Sequence, residues 1–101
     1  MKVLVLTFRN SLDAEVRSLL TKEDIRAYSE IPSVHGIGEA GPAFGSLTCP
    51  GKNSMILIAL PDDRADQLIK AFETFRHRLA TQQHGVKLPI KLFVLPCEQI
   101  I

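Results

Sequence analysis

Apolar positions along the chain follow two periods. Lys2–Phe8 reads KVLVLTF, β-branched and apolar on both parities, and predicts a buried strand. Leu12, Val16, Leu19 and Leu20 then recur at i, i+4, i+7 and i+8, the stripe of an amphipathic helix. Asn10 or Ser11 can cap that helix, and Asp13 and Glu15 stand in its first turn, where the macrodipole favours acids. Arg26–Ile31 alternates Arg26, Tyr28 and Glu30 with Ala27, Ser29 and Ile31, which predicts a strand with one wet face, stopped by Pro32. Asn53–Leu60 (NSMILIAL) predicts a second buried strand. Pro61-Asp62-Asp63 reads as a helix start, and Ala65, Leu68, Ile69, Phe72 and Leu79 carry helical spacing to about Thr81. Arg76, His77 and Arg78 near its end suit the dipole. Ile90–Leu95 predicts the last strand, ended by Pro96.

The order β-α-β-β-α-β predicts an α+β, ferredoxin-like fold: one four-stranded antiparallel sheet with two helices on one face. The 101 residues suit a single domain, 1–101. A sheet covered on one side should alternate apolar and polar residues. Here Val3, Val5 and Thr7 oppose Leu4, Leu6 and Phe8, while Met55, Leu57 and Ala59 oppose Ile56, Ile58 and Leu60. Lys91, Phe93 and Leu95 oppose Ile90, Leu92 and Val94. Apolar residues on both faces predict an association surface on the uncovered side.

Residues 33–51 (SVHGIGEAGPAFGSLTCPG) hold five of the six glycines, two prolines and one acid, and predict a long loop with a functional role. Composition narrows the function classes. The chain is 46% hydrophobic and 23% charged, an ordinary globular mix. Lys+Arg of 12 against Asp+Glu of 11 leaves a net charge of +1, no footprint for nucleic acid or anionic lipid. No window is long and apolar enough for a membrane span, and Met1–Phe8 is too short for a signal peptide. The expectation is a soluble cytoplasmic protein without membrane insertion. Cys49 and Cys97 are too few for a disulfide scaffold. His77 lies four residues after Glu73, as in a helix-surface pair, and His84 lies in a polar turn. Asp62 and Asp63 read as a cap, and no nucleophile stands beside a histidine and a carboxylate as a triad would require, so no enzyme is expected.

Three segments carry a resemblance. Lys91–Ile101 (KLFVLPCEQII) resembles the last strand and following segment of the PII signalling family, K-[IL]-F-V-x-P-V-E-[DQ]-x-[IV]. His35-Gly36-Ile37-Gly38 is similar to the family's K-G-F-G at the entry to its T-loop. Ala59–Asp63 and the helix after it resemble V-A-D-D-x-x-D-x-V-I-x-A-I. The matches fall in order and cover most of the chain. The resemblance implies a homotrimer with inward-facing sheets, clefts between subunits that bind adenine nucleotides, and a T-loop-like segment, 33–52, that docks on a partner protein. The 33–52 segment is shorter than a standard T-loop and lacks its tyrosine. Of the family's phosphate loop T-G-x-x-G-D-G-K, aligned with residues 84–91, Gly85 and Lys91 match, and the family's C-terminal arginines have no counterpart. This pattern resembles a divergent PII-like branch, some of whose members accompany membrane transporters.

The expected ligand contacts are therefore Gly36, Ile37 and Gly38, whose glycines would let backbone amides approach a ligand, and Gly85, Lys87 and Lys91 as phosphate contacts. The ligand expected is AMP, ADP or a small anion, with tight ATP binding not expected. The alternative is a metal-binding homeostasis protein of CutA-like trimeric architecture. In that reading, His35 and Cys49 supply soft N and S ligands to Zn²⁺ or Cu⁺, completed by Glu39 or by other subunits.

Overall fold

The structure, a computed structural model, describes residues 1–34, 37–38, 41–42, 52–82 and 88–101. The chain runs β1 (Lys2–Arg9), a 3₁₀ turn (Asn10–Leu12), α1 (Asp13–Lys22), β2 (Ser29–Val34), β3 (Ile37–Gly38), β4 (Gly41–Pro42), β5 (Asn53–Leu60), α2 (Asp62–Gln82) and β6 (Ile90–Pro96). Four strands form an antiparallel sheet in the order β2-β5-β1-β6, and β3 pairs with β4 as a separate two-residue hairpin. Strand order and helix placement are ferredoxin-like, as the element order predicts.

Pairing on both sides of β1 follows from its two apolar parities. Leu4 faces Ile58 on β5 and Val94 on β6, and Leu6 faces Ile56 and Leu92. Leu4, Leu6, Phe8, Ile56 and Ile58 are buried on the helix side. Against them pack Leu12, Val16, Leu19 and Leu20 from the first helical segment, and Ala65, Leu68, Phe72, Phe75 and Leu79 from α2. Phe72 and Phe75 meet edge to face, with centroids 6.5 Å apart. Each fully buried leucine or isoleucine contributes about 1.5–3 kcal/mol by leaving water.

The opposite face is open. Val3, Val5, Met55 and Leu57 are half-buried there, and Ile31, Phe93 and Leu95 are 46%, 54% and 53% exposed. The register aligns them across the sheet: Val5 lies between Leu57 and Phe93, and Ile31 pairs with Met55.

Four local expectations change. The second strand is Ser29–Val34 rather than Arg26–Ile31, and Pro32 lies inside it. Proline is tolerated because β2 is an edge strand whose pairing skips from Ile31–Met55 to Val34–Asn53, with Ser33 at φ 60° in the gap. Glu30 points to the helix side, where Arg17 of α1 donates to it and to Asp13. The 33–51 stretch contains the β3–β4 hairpin, whose two-residue strands are too short to leave a periodic signal. Neither Asn10 nor Ser11 caps α1, whose N-cap is Leu12 without a side-chain bond. Finally, α2 extends to Gln82, so Arg76 and Arg78 stand before its last turn, which carries no basic residue, and Glu73 makes no ion pair with His77.

Leu6 is 0% exposed at the centre of this core. Leu6→Ala should lower unfolding stability by about 2–5 kcal/mol, through lost transfer energy and the cavity left behind. Urea denaturation followed by circular dichroism measures it.

Candidate functional site

Antiparallel pairing brings distant parts of the chain to one end of the sheet. Where β1 finishes, β5 and β6 begin: Phe8 pairs with Ser54 and Ile90, and Arg9 pairs with Asn53. Val34, the last residue of β2, also pairs with Asn53. The chain therefore leaves the sheet at Val34, returns at Lys52, and returns again at Leu88–Pro89, all at this end. The α2 helix starts at the other end, beside Met1, and runs back toward Ile90. Its 21 residues span about 31 Å, enough to cover the length of an eight-residue strand.

The turn after β1 ties these returns together. The Arg9 amide donates to the Pro89 carbonyl at 3.0 Å, and the Asn10 amide donates to the Lys52 carbonyl at 2.8 Å. The Ser54 hydroxyl, on a residue 3% exposed, donates to Asn10 Oδ1 at 2.6 Å.

At the Lys2 end, cations find local partners: Lys2 with Asp66 at 3.0 Å, Arg26 with Asp24 at 2.8 Å, and the Met1 amine with Asp62 at 2.8 Å. That amine holds the Asp62 carboxyl below the usual carboxylate range by hydrogen bond and by charge. Arg64 donates to the Glu23 and Asp24 carbonyls after α1, at 3.3 and 3.2 Å. Among the described residues, Lys22 at that end and Lys70 on α2 have no ion-pair partner. At the end where the chain returns, Lys52, Lys91 and Arg76 have no ion-pair partner among the described residues. Arg78 stacks over the Phe75 ring at 5.8 Å. Glu15, in the first turn of α1, and Glu73 on α2 are likewise without an ion-pair partner among the described residues, and of these cations only Lys52 and Lys91 belong to the sheet and its approach.

Solved structures share this architecture. A nitrogen regulatory PII-like protein from Thiomonas intermedia K12, CPII, bound to ADP, AMP and bicarbonate, matches with a TM-score of 0.69 and 19% identity. The match covers 93% of this chain and 82% of that one. CPII bound to ADP and bicarbonate matches with a TM-score of 0.62 and 19% identity over 93% of this chain and 84% of that one. Its apo form matches at 0.61 and 17% identity, over 93% and 85%. The fold is PII-like. No family model and no curated protein matches the sequence.

Within the PII-like frame, Lys91 lies exposed on the open face of β6, in register with Thr7 of β1. Ile37 and Gly38 form β3, facing Pro42 and Gly41 of the hairpin. His35, Gly36, Glu39, Cys49, Gly85 and Lys87 lie outside the described residues. Among the described residues, no group of three or more His, Cys, Asp or Glu side chains is placed to hold a metal ion. Cys97 is a half-buried free thiol. No described helix is long and apolar enough to cross a membrane. The sequence reading missed Asn10, Ser54 and Lys52 as members of the junction. Parity alone marks Ser54, a hydroxyl on the inward side of a strand whose other inward residues include Ile56 and Ile58.

Because Lys91 and Arg76 form no ion pair among the described residues, Lys91→Gln and Arg76→Gln should leave unfolding stability within about 0.5 kcal/mol of the parent. Chemical denaturation of both variants checks that these cations are not structural.

Proposed function

We propose that this chain is a non-enzymatic PII-like regulator. It senses a small anionic ligand at clefts between subunits of a homotrimer and acts on a partner protein through residues 33–52. The observation that carries this reading is the convergence of Val34, Lys52 and Pro89 at one sheet end, where Lys52 and Lys91 have no ion-pair partner among the described residues. A ligand at that end would meet both returning segments, so its presence can alter the 33–52 segment. The likeness to a PII-like protein that binds ADP, AMP and bicarbonate supports ligands of that class. The partner in this reading is a membrane transporter approached from the cytoplasm, and residues 1–101 act as one domain.

The ligand follows from charge. A nucleoside mono- or diphosphate, or bicarbonate, needs few cationic donors. Gly36, Ile37 and Gly38 would offer backbone amides, and Gly85, Lys87 and Lys91 would meet phosphate oxygens. A triphosphate needs more donors than the 84–91 stretch retains. Charge-assisted bonds are worth about 1.5–3 kcal/mol each. Losing two of them weakens binding by roughly a hundredfold or more.

Calorimetry with AMP, ADP, ATP and bicarbonate tests the ligand. ADP or AMP should bind, ATP should bind weakly or not at all, and Lys91→Ala should weaken ADP by roughly tenfold or more, the worth of one charge-assisted contact. Low-micromolar ATP binding would overturn the ligand assignment.

The open apolar face supports the trimer. Val5, Leu57 and Phe93 meet across it in register, and no helix packs on that side among the described residues. Sedimentation velocity should show a trimer. Leu57→Asp should dissociate it, since assembly would bury an unpaired carboxylate. A parent protein that sediments as a monomer at micromolar concentration would refute the assembly.

A further inference from the structure

The junction at Asn10 does more than close a turn. Ser54 is the single buried polar residue among the described residues, and its hydroxyl is satisfied by Asn10 Oδ1. A buried hydroxyl without a partner is costly, so the bond holds the Asn10 side chain in one orientation. Arg9 is extended, with φ −70° and ψ 145°, and its amide and that of Asn10 grip different strand starts. One grips the carbonyl of Pro89, just before β6, and the other that of Lys52, just before β5. Peptide planes are rigid, so a shift of one carbonyl is passed to the other through the Arg9–Asn10 corner.

We propose that Asn10, held by Ser54, is a positioning residue that couples the start of β5 to the start of β6. Displacement at Pro89–Lys91 then changes the order at Lys52–Met55, and the reverse. This deepens the function proposed above, on which it rests only for the identity of the natural trigger. Ligand contact at Lys91 is thereby transmitted to the strand that receives the 33–52 segment.

Hydrogen exchange of the full chain under native conditions tests the coupling without any ligand. Pro89→Gly loosens the β6 start and should speed exchange of the Asn53–Met55 amides by about fivefold or more, the usual lower range of a coupling between sites. In an Asn10→Ala or Ser54→Ala background, the same Pro89→Gly change should alter those amides less than about twofold. Asn10→Asp keeps an acceptor for the Ser54 hydroxyl and should restore transmission. Ser54→Ala leaves no buried hydroxyl unsatisfied, so it keeps the test available if Asn10→Ala does not fold. A merely structural role would slow or speed exchange in each variant but leave the Pro89→Gly effect additive. Additive effects, or no effect of Pro89→Gly on Asn53–Met55 in the parent protein, would overturn the proposal. A parallel arm adds ADP with bicarbonate. Protection at both strand starts in the parent, and at Ile90–Leu92 alone in Ser54→Ala, supports the coupling. Unchanged exchange at both starts in the parent refutes the ligand assignment, while the Pro89→Gly comparison still decides the coupling.

Discussion

Leu4, Leu6 and Phe8 point to the helices while Val3, Val5 and Thr7 point away, and β1 pairs along its length with β5 on one side and β6 on the other. This double pairing places everything else. A strand with polar residues on one parity could sit at a sheet edge or carry one wet face. Here both parities between Lys2 and Arg9 are apolar apart from Thr7, and both edges are occupied, so β1 lies in the middle. Antiparallel partners on both sides require their first residues to meet at the β1 terminus. That requirement, rather than any local motif, brings Lys52 and Pro89 to the same end, and the antiparallel pairing of β2 with β5 brings Val34 there as well.

The sheet thereby separates two tasks. Its helix side carries the core, with a single buried hydroxyl among the described residues, at the margin. Its other side is continuous and apolar from Ile31 across Met55 and Val5 to Phe93 and Leu95. An exposed surface of that kind is unstable against association. Lys91 extends this same face toward the end where the segments return, so the surface proposed for assembly and the cation proposed for ligand contact adjoin. A subunit packed on the open face would bring its own residues close to Lys91, which fits a ligand site shared between copies.

The long elements were legible because their periods are long. Phe8, Val16, Ile56, Leu68 and Leu79 all lie on the side their spacing predicts. The open face was legible for the same reason, as an unneeded second apolar parity. Pro32 misled because the rule against proline in strands assumes a paired amide, and the edge position of β2 with its skipped register removes that need. Asn10 misled for a related reason. Its type suits a cap, yet the 3₁₀ turn moves the helix start to Asp13 and releases the side chain for Ser54, 44 residues away in sequence. No local rule reports a bond of that separation. Of the candidate ligand contacts, only Lys91 has a described side chain, and its face follows from strand parity. The glycine contacts rested on the family resemblance, since within a loop periodicity carries no information.

A net charge of +1 says nothing of how the charges are placed. Totals average over position. Several acids are committed to nearby cations: Asp62 to the Met1 amine, Asp66 to Lys2, Asp24 to Arg26, and Asp13 and Glu30 to Arg17. Exposed pairs of this kind contribute little to stability, but they cancel one another's field locally. Among the described residues toward the returning end, Lys52, Lys91 and Arg76 have no ion-pair partner, and neither have the acids Glu15 of α1 and Glu73 of α2. The field of each such charge decays over roughly a Debye length of 8 Å in physiological salt. Lys91 lies on the open face and Arg76 on the helix side, so over that range each acts on its own side of the sheet. A near-neutral protein can in this way present a single cation to a small anion while offering no extended basic surface to a polyanion.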